Sequence, residues 1–491
     1  MGIIIKQSLQ NAAVSYFGII LGFITSILLF PNILETSQFG LTRSLLAIAI
    51  ICSQVVSLGL PNSIIKFASS LRQKATDVRG IFWAITLPAF GSLLLISLIL
   101  IWFKEDILSL YSDSVLLRKY FFLIVPLISS IALFSLLNSY IKSNLNTVFA
   151  SFLQEIAIRV LIIINLLLVY FGLISFDLFM ILFVASYAFP YLILLVYAFS
   201  KRLVTTKIDI SPFDKDTRQV ISKYSFYSFF GGFTMVLVGN VDLLMVDIFK
   251  GLEQTGIYAV ALYVGVVISV PKKSIGKISF PIISSAFHRN DMNEVSTVYR
   301  QSSINMILFG LLIYIGVVAN IHNLFKLLPD EYATGSIVII IIGLANLFDM
   351  ITGCNGQIIL SSKYYKFDLL FSIVLMVTAI LLNYQLIPKY GLIGAATATA
   401  SSIFIYNLIK LVFVWIKFRI LPFTWKTLWI PILGAFSLGI NYLIPVLDFL
   451  ILDLIIRSIL ITAIFFFAIW FFDISREAKE TLISFVTKFK N

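Results

Sequence analysis

Charge is what this sequence has least of. Only 12% of its 491 residues are Asp, Glu, Lys or Arg, where a soluble globular domain carries about 25%. A chain with so little ionic surface cannot cover a water-exposed globule, so its solvent must be lipid. Cysteine is nearly missing too. Cys52 and Cys354 are the only two, each inside an apolar stretch and neither in a CxxC, which leaves no disulfide framework and no cysteine-based metal site. The two histidines, His288 and His322, fall in loops or at helix ends, so no mid-membrane histidine is available as a proton relay. No GxxxxGK[ST], HExxH or GxSxG occurs. ATP-phosphate cradling, zinc hydrolysis and a nucleophile elbow therefore have no residues to run on. The expectation is a non-enzyme that needs no cofactor and no metal.

What abounds is apolar. Hydrophobic residues make up 60% of the chain, 45 of them Phe, and mean hydropathy is +1.01. A helix needs about 20 mainly apolar residues to cross roughly 30 Å of hydrocarbon. Segments that meet this test run at 9–31, 41–64, 81–103, 120–141, 148–171, 177–199 and 224–249. A second series runs at 256–275, 303–325, 335–360, 368–388, 392–415, 428–447 and 453–472. The sequence thus reads as an all-α polytopic membrane protein with about fourteen spans. The first apolar stretch is long and lacks a small-residue cleavage site, so it is expected to be the first span and not a signal peptide.

Lysine and arginine set the orientation. With both termini cytoplasmic, 26 of the 36 basic residues fall on the inner side and 7 on the outer side, and Arg159, Lys410 and Arg457 lie within spans. That asymmetry, spread over almost every loop, is the positive-inside pattern of a bacterial inner membrane. It also accounts for the net charge of +12 without invoking nucleic acid as a partner. The longest connections, 200–223 and 276–302, are basic and inner. The first divides the chain into an N-lobe of six spans (1–200), a linker (201–223) and a C-lobe of six spans (224–416). Two further spans occupy 417–472. From Asp473 the tail repeats apolar residues at helical spacing among charges, which reads as an amphipathic helix on the inner leaflet.

The halves echo each other. Gln38-Phe39-Gly40-Leu41 and Gln254-Thr255-Gly256-Ile257 each open a helix after a short outer turn, so the lobes are expected to be parallel repeats about an axis along the membrane normal. A longer stretch is more specific. Asn383-Tyr384-Gln385-Leu386-Ile387-Pro388-Lys389-Tyr390-Gly391-Leu392-Ile393-Gly394-Ala395-Ala396-Thr397-Ala398-Thr399 resembles the signature of Wzx-type polysaccharide flippases. These belong to the multidrug/oligosaccharidyl-lipid/polysaccharide (MOP) exporter superfamily. Ser57-Leu58-Gly59-Leu60-Pro61 is similar to a helix-turn segment of the same family. The resemblance implies flipping of an undecaprenyl-pyrophosphate-linked oligosaccharide, the repeat unit of O-antigen, exopolysaccharide or a related glycan. It also implies a polymerase and a chain-length regulator as pathway partners. Lipid II flipping and drug/cation antiport are the alternatives within the superfamily. The first is disfavoured by a first span without charge, the second by the two extra helices. A membrane glycan polymerase is a further alternative, but the longest outer loop, 104–119, is too short for one.

Such a cargo needs cations in a polar cavity. Arg159, one turn after Glu155 in the fifth span, reads either as half of an i,i+4 ion pair or as an anion ligand. Arg43 opens the second span, and Lys272 and Lys273 end the eighth. Each can meet a pyrophosphate if the lobes match the family, or simply anchor at the interface. Asp242 lies where the family often carries an Asp, and Asp349 stands with Asn346 and Asn355. Asp242, Asp349 and Glu155 are the candidates for ion coupling or gating, with hydrogen-bonded packing as the plainer reading. Lys410 and Arg457 lie near span ends and are expected to snorkel.

Overall fold

The computed structural model describes residues 2–111, 114–144, 147–441 and 443–471. The amphipathic tail helix expected from Asp473 lies outside them. Among the described residues every regular element is a helix, and eleven helices are long and apolar enough to cross a membrane. The chain is a multi-pass membrane protein.

Among the described residues, eleven apolar helical stretches stand where the sequence reading has fourteen spans. Two of the eleven, Lys215–Ile268 and Lys366–Phe418, run 54 and 53 residues, far more than one crossing needs. Each carries a glycine off the helical backbone, Gly251 at φ 84, ψ 175 and Gly391 at φ 59, ψ −132. Those dihedrals lie where an L side chain meets its own backbone. The segment expected at 428–447 is a shorter apolar helix, Trp429–Asn441. One expected loop is corrected. The stretch 276–302 is helical but for a turn, because Val270–His288 and Met292–Ala319 meet there. Asp291 caps the second helix by accepting the Glu294 N–H at 3.0 Å. Hydropathy marks the apolar window of a helix, and these two extend past theirs as polar turns.

By contact the chain forms two compact units, Met1–Ala259 and Val260–Asn491. In the first unit, the helix Thr36–Ser57 starts with a capping box between Glu35 and Gln38, which satisfies two orphan donors reciprocally. It ends at Leu58 and Gly59, both left-handed at φ 50 and 70, and Leu60–Lys74 continues beyond the break. A side chain at Gly59 would lie 2.3 Å from the Ser225 carbonyl, so this corner admits only hydrogen. Leu60, Ile64, Phe82, Leu137 and Leu194 form the centre of a buried core. Under it, the linker is pinned to the corner at 75–80. The Asp77 N–H donates to Asp209 at 2.6 Å, and Lys74 donates to Asp214 at 3.2 Å. These acids sit below the usual carboxylate range. The Arg79 side chain does this for Asp77 and the Ser211 hydroxyl for Asp209, while the Thr217 hydroxyl and N–H hold Asp214 at about 2.

In the second unit, Tyr299, Met306, Leu347, Met350, Ile358 and Phe465 lie at the centre of the core. Here the signature stretch explains itself. Gly391 supplies the break, and a Cβ at Gly394 would lie 2.2 Å from the Leu386 carbonyl. One glycine turns the chain and the next lets the two segments touch.

Candidate functional site

The first unit gathers three of the expected residues. Thr36–Ser57 carries Arg43 inward, where its guanidinium donates to the Ser26 hydroxyl at 2.9 Å. It lies between the rings of Phe30 and Phe39, 5.0 and 4.9 Å from their centroids. Cation–π contacts of this kind hold a charge without discharging it. Arg159 reaches back to Glu155 at 2.7 Å and to the Glu155 carbonyl. Glu155 lies in a π-helical stretch, Leu153–Ala157, a helix defect that re-aims side chains and recurs at functional sites. The first helix crosses this pair at Gly18, where a Cβ would lie 2.8 Å from Arg159 Nη1. Arg43 and Arg159 both lie within electrostatic reach of Tyr187. Two arginines, neither fully buried, therefore belong to one unit of a chain poor in charge. That arrangement can bind a diffuse anion such as a phosphate.

Asp242 lies elsewhere in the same unit and is buried. Sequence reasoning passed over its neighbour Asp247, which is 1% exposed and accepts a hydrogen bond from the Ser44 hydroxyl. The signal was present in the sequence, an acid inside an apolar run.

In the second unit the two lysines part. Lys272 forms an ion pair with Asp349, whereas Lys273 is exposed. Asn346 donates to the Gly265 carbonyl at 3.0 Å, and Asn355 joins Thr352 at the Asn407 amide oxygen. The snorkelling expected of Lys410 and Arg457 is overturned. Lys410 is 4% exposed and lies 2.7 Å from Asp368. Arg457 is 2% exposed. All five guanidinium donor directions are taken. Nε meets Asp453 at 2.8 Å, Nη1 meets Asn441 O and Oδ1 at 3.2 and 3.0 Å, and Nη2 meets the Ile444 and Pro445 carbonyls at 3.0 Å each. Asp453 is fully buried and also accepts from Asn323 at 2.6 Å and Leu447 N at 3.0 Å, with His322 at 2.9 Å. Satisfied this completely, the cluster clamps the turn between the helices Trp425–Asn441 and Leu450–Phe471. A buried charge with every partner filled is structural, since no donor is left for a ligand. Among the described residues no group of His, Cys, Asp and Glu could hold a metal ion.

A family described as "Polysaccharide biosynthesis protein" matches residues 4–287. The probable low-salt glycan biosynthesis flippase Agl15 of Haloferax volcanii is 23% identical over 230 residues, 46% of this chain and 48% of that protein. The capsular polysaccharide biosynthesis protein CapF of Staphylococcus aureus is 25% identical over 173 residues, 34% and 42% of the two chains. The chain thus spans less than half the length of the curated relatives it matches. Among solved structures, the lipid II flippase MurJ in an inward closed conformation has a TM-score of 0.75 at 17% identity, over 95% of this chain and 99% of that one. An inward-facing multidrug resistance MATE family transporter of the MOP superfamily scores 0.63 at 13% identity, over 84% and 94%. At such identities these last two likenesses are of fold alone. The family match covers more than half of the sequence, and on that ground this chain belongs to the polysaccharide biosynthesis protein family.

Proposed function

We propose that this protein is a flippase for polyprenyl-pyrophosphate-linked oligosaccharide, moving it from the cytoplasmic to the outer face of a bacterial inner membrane. The observation that carries this reading is family membership across residues 4–287 in a multi-pass helical chain. The name of the Haloferax volcanii relative points the same way. The site adds a physical reason. Arg43 and Arg159 offer positive charge to a pyrophosphate inside a bundle otherwise poor in it, and Lys272 and Lys273 are the further candidates for that role. Movement comes from alternating access between two six-helix lobes, 1–200 and 224–416, with both termini cytoplasmic. Glu155, Asp242 and Asp349 serve coupling or gating. Energy comes from an ion gradient, the membrane potential or the cargo itself, not from ATP.

The test is deletion of the gene, followed by analysis of lipid-linked glycans and their sidedness. Accumulation of polyprenyl-linked repeat units on the cytoplasmic face is the expected result. If lipid intermediates and surface polymer stay unchanged while drug sensitivity rises, the proposal fails in favour of an antiporter. If peptidoglycan precursors accumulate instead, it fails in favour of lipid II.

A further inference from the structure

A cavity of about 630 Å³ lies wholly within the first unit, and nothing in the transport reading uses it. Its walls are hydrocarbon, with Leu60, Ile85, Leu87, Phe226 and Phe229 among them. Ile210 and Phe213 of the linker also line it. That linker is held in place by the contacts of Asp77, Asp209 and Asp214 described above, so this side of the cavity is built and not a passing gap. The volume falls in the range of small-ligand sites, about 300–1,000 Å³. Apolar walls call for an apolar occupant.

The polar groups are few and share one helix face: Arg218, Ser222 and Ser225, at successive turns of Lys215–Ile268. Ser225 is engaged with Ser63 at 2.6 Å. Arg218 donates Nε to the Phe213 carbonyl at 2.6 Å, which fixes its guanidinium beside the cavity. Its terminal nitrogens have no protein partner among the described residues. The nearby acid Asp214 is already taken by Lys74 and Thr217. A fixed, uncompensated guanidinium at the edge of a hydrocarbon cavity matches one kind of molecule, an alkyl chain that ends in a phosphate.

We propose that this cavity holds one chain of an anionic phospholipid from the surrounding bilayer, with its phosphate on Arg218. The sequence around it is rich in base, with Lys201, Arg202, Lys207, Lys215 and Lys223 nearby in the chain, which favours an anionic headgroup. It lies apart from the Arg43 and Arg159 cluster in its residues, so it stands or falls independently of the flippase reading.

The experiment uses the full chain in neutral detergent. Retained lipid is read by native mass spectrometry, and affinity by titration with fluorescent phosphatidylglycerol. Competitors are phosphatidylcholine, a polyprenyl phosphate and inorganic phosphate. The expected result is one phosphatidylglycerol per chain, preferred over phosphatidylcholine by about tenfold, the scale of one charge-assisted contact. Arg218→Gln should abolish that preference and Arg218→Lys should keep part of it. Leu87→Trp, at a position already 57% exposed and so tolerant of bulk, should weaken both lipids alike. An undiminished preference in Arg218→Gln would overturn the proposal, as would unchanged lipid affinity in Leu87→Trp. Displacement by inorganic phosphate alone would make this a free-anion site. Displacement by polyprenyl phosphate more tightly than by unlabelled phosphatidylglycerol would make it a substrate-tail site. Either result sinks the resident phospholipid.

Discussion

Replacing Arg457 with Met is expected to destabilise the protein more than any other single loss of charge described above. The substitution keeps the volume of the side-chain stem but removes five donated hydrogen bonds. It also strands Asp453, which is 0% exposed, in a site built for a counter-ion. Breaking a buried pair from one side costs about 3–5 kcal/mol. Arg457→Lys keeps the charge yet has at most three donors in a different geometry, so about 1–2 kcal/mol should be lost through the orphaned carbonyls. Arg118 is the control. It pairs with Glu105 at 2.8 Å, but the two side chains are 57% and 67% exposed, so Arg118→Ala should cost no more than about 1 kcal/mol. Equilibrium unfolding of the purified protein in mixed detergent micelles gives all three values. The reasoning is refuted if Arg457→Met lies within about 1 kcal/mol of wild type, or if it cannot be told from Arg118→Ala.

Other outcomes are equally specific. Gly40→Ala puts a Cβ 1.8 Å from the Leu252 carbonyl, so the backbone must give way at about 1–3 kcal/mol; a wild-type unfolding midpoint would contradict that contact. Gly391→Ala forces an L residue to φ 59, ψ −132 and should cost about 1–3 kcal/mol in the same assay. Arg43→Ala and Arg159→Ala should each lower glycan export about tenfold, with Arg159→Lys in between. Full export in both Arg159 variants would remove that residue from the site. The linker clasp should respond only to strong acid. Its three carboxyls sit below their ordinary value of 3.8. Their contribution is therefore present above that value and lost as pH falls through the lowered ones, near 2 for Asp214. Pepsin should then cut within 201–214 at a pH of about 2 and spare it above about 4. Equal cleavage at both would show that the clasp does not hold the linker.

The apolar helices were legible, and the glycines at the breaks could be read as such, because each is a local property of the chain. Lipid solvation writes itself into twenty-residue windows, and a left-handed turn writes itself as glycine. The clasps were harder to read. Nothing near Lys410 points to Asp368, 42 positions earlier, and nothing near His322 points to Asp453. Tertiary packing alone brings them together. Arg457 was a different kind of miss. Asp453 stands four residues before it, the same spacing that singled out Glu155 and Arg159. A helix interior with an acid and a base one turn apart says that both are kept in, whereas a lone base near a span end says that it reaches out.

The echo between Gln38-Phe39-Gly40 and Gln254-Thr255-Gly256 is also a matter of packing. The two motifs lie against each other. A Cβ at Gly40 would run into Leu252 and Gly256, and one at Gly256 would lie 2.4 Å from the Thr36 carbonyl. Two backbones that meet through hydrogen atoms have no ridges to interlock. Such a seam is rigid against compression yet offers little resistance to shear. Neither motif can acquire a side chain at its glycine unless the other moves aside to make room.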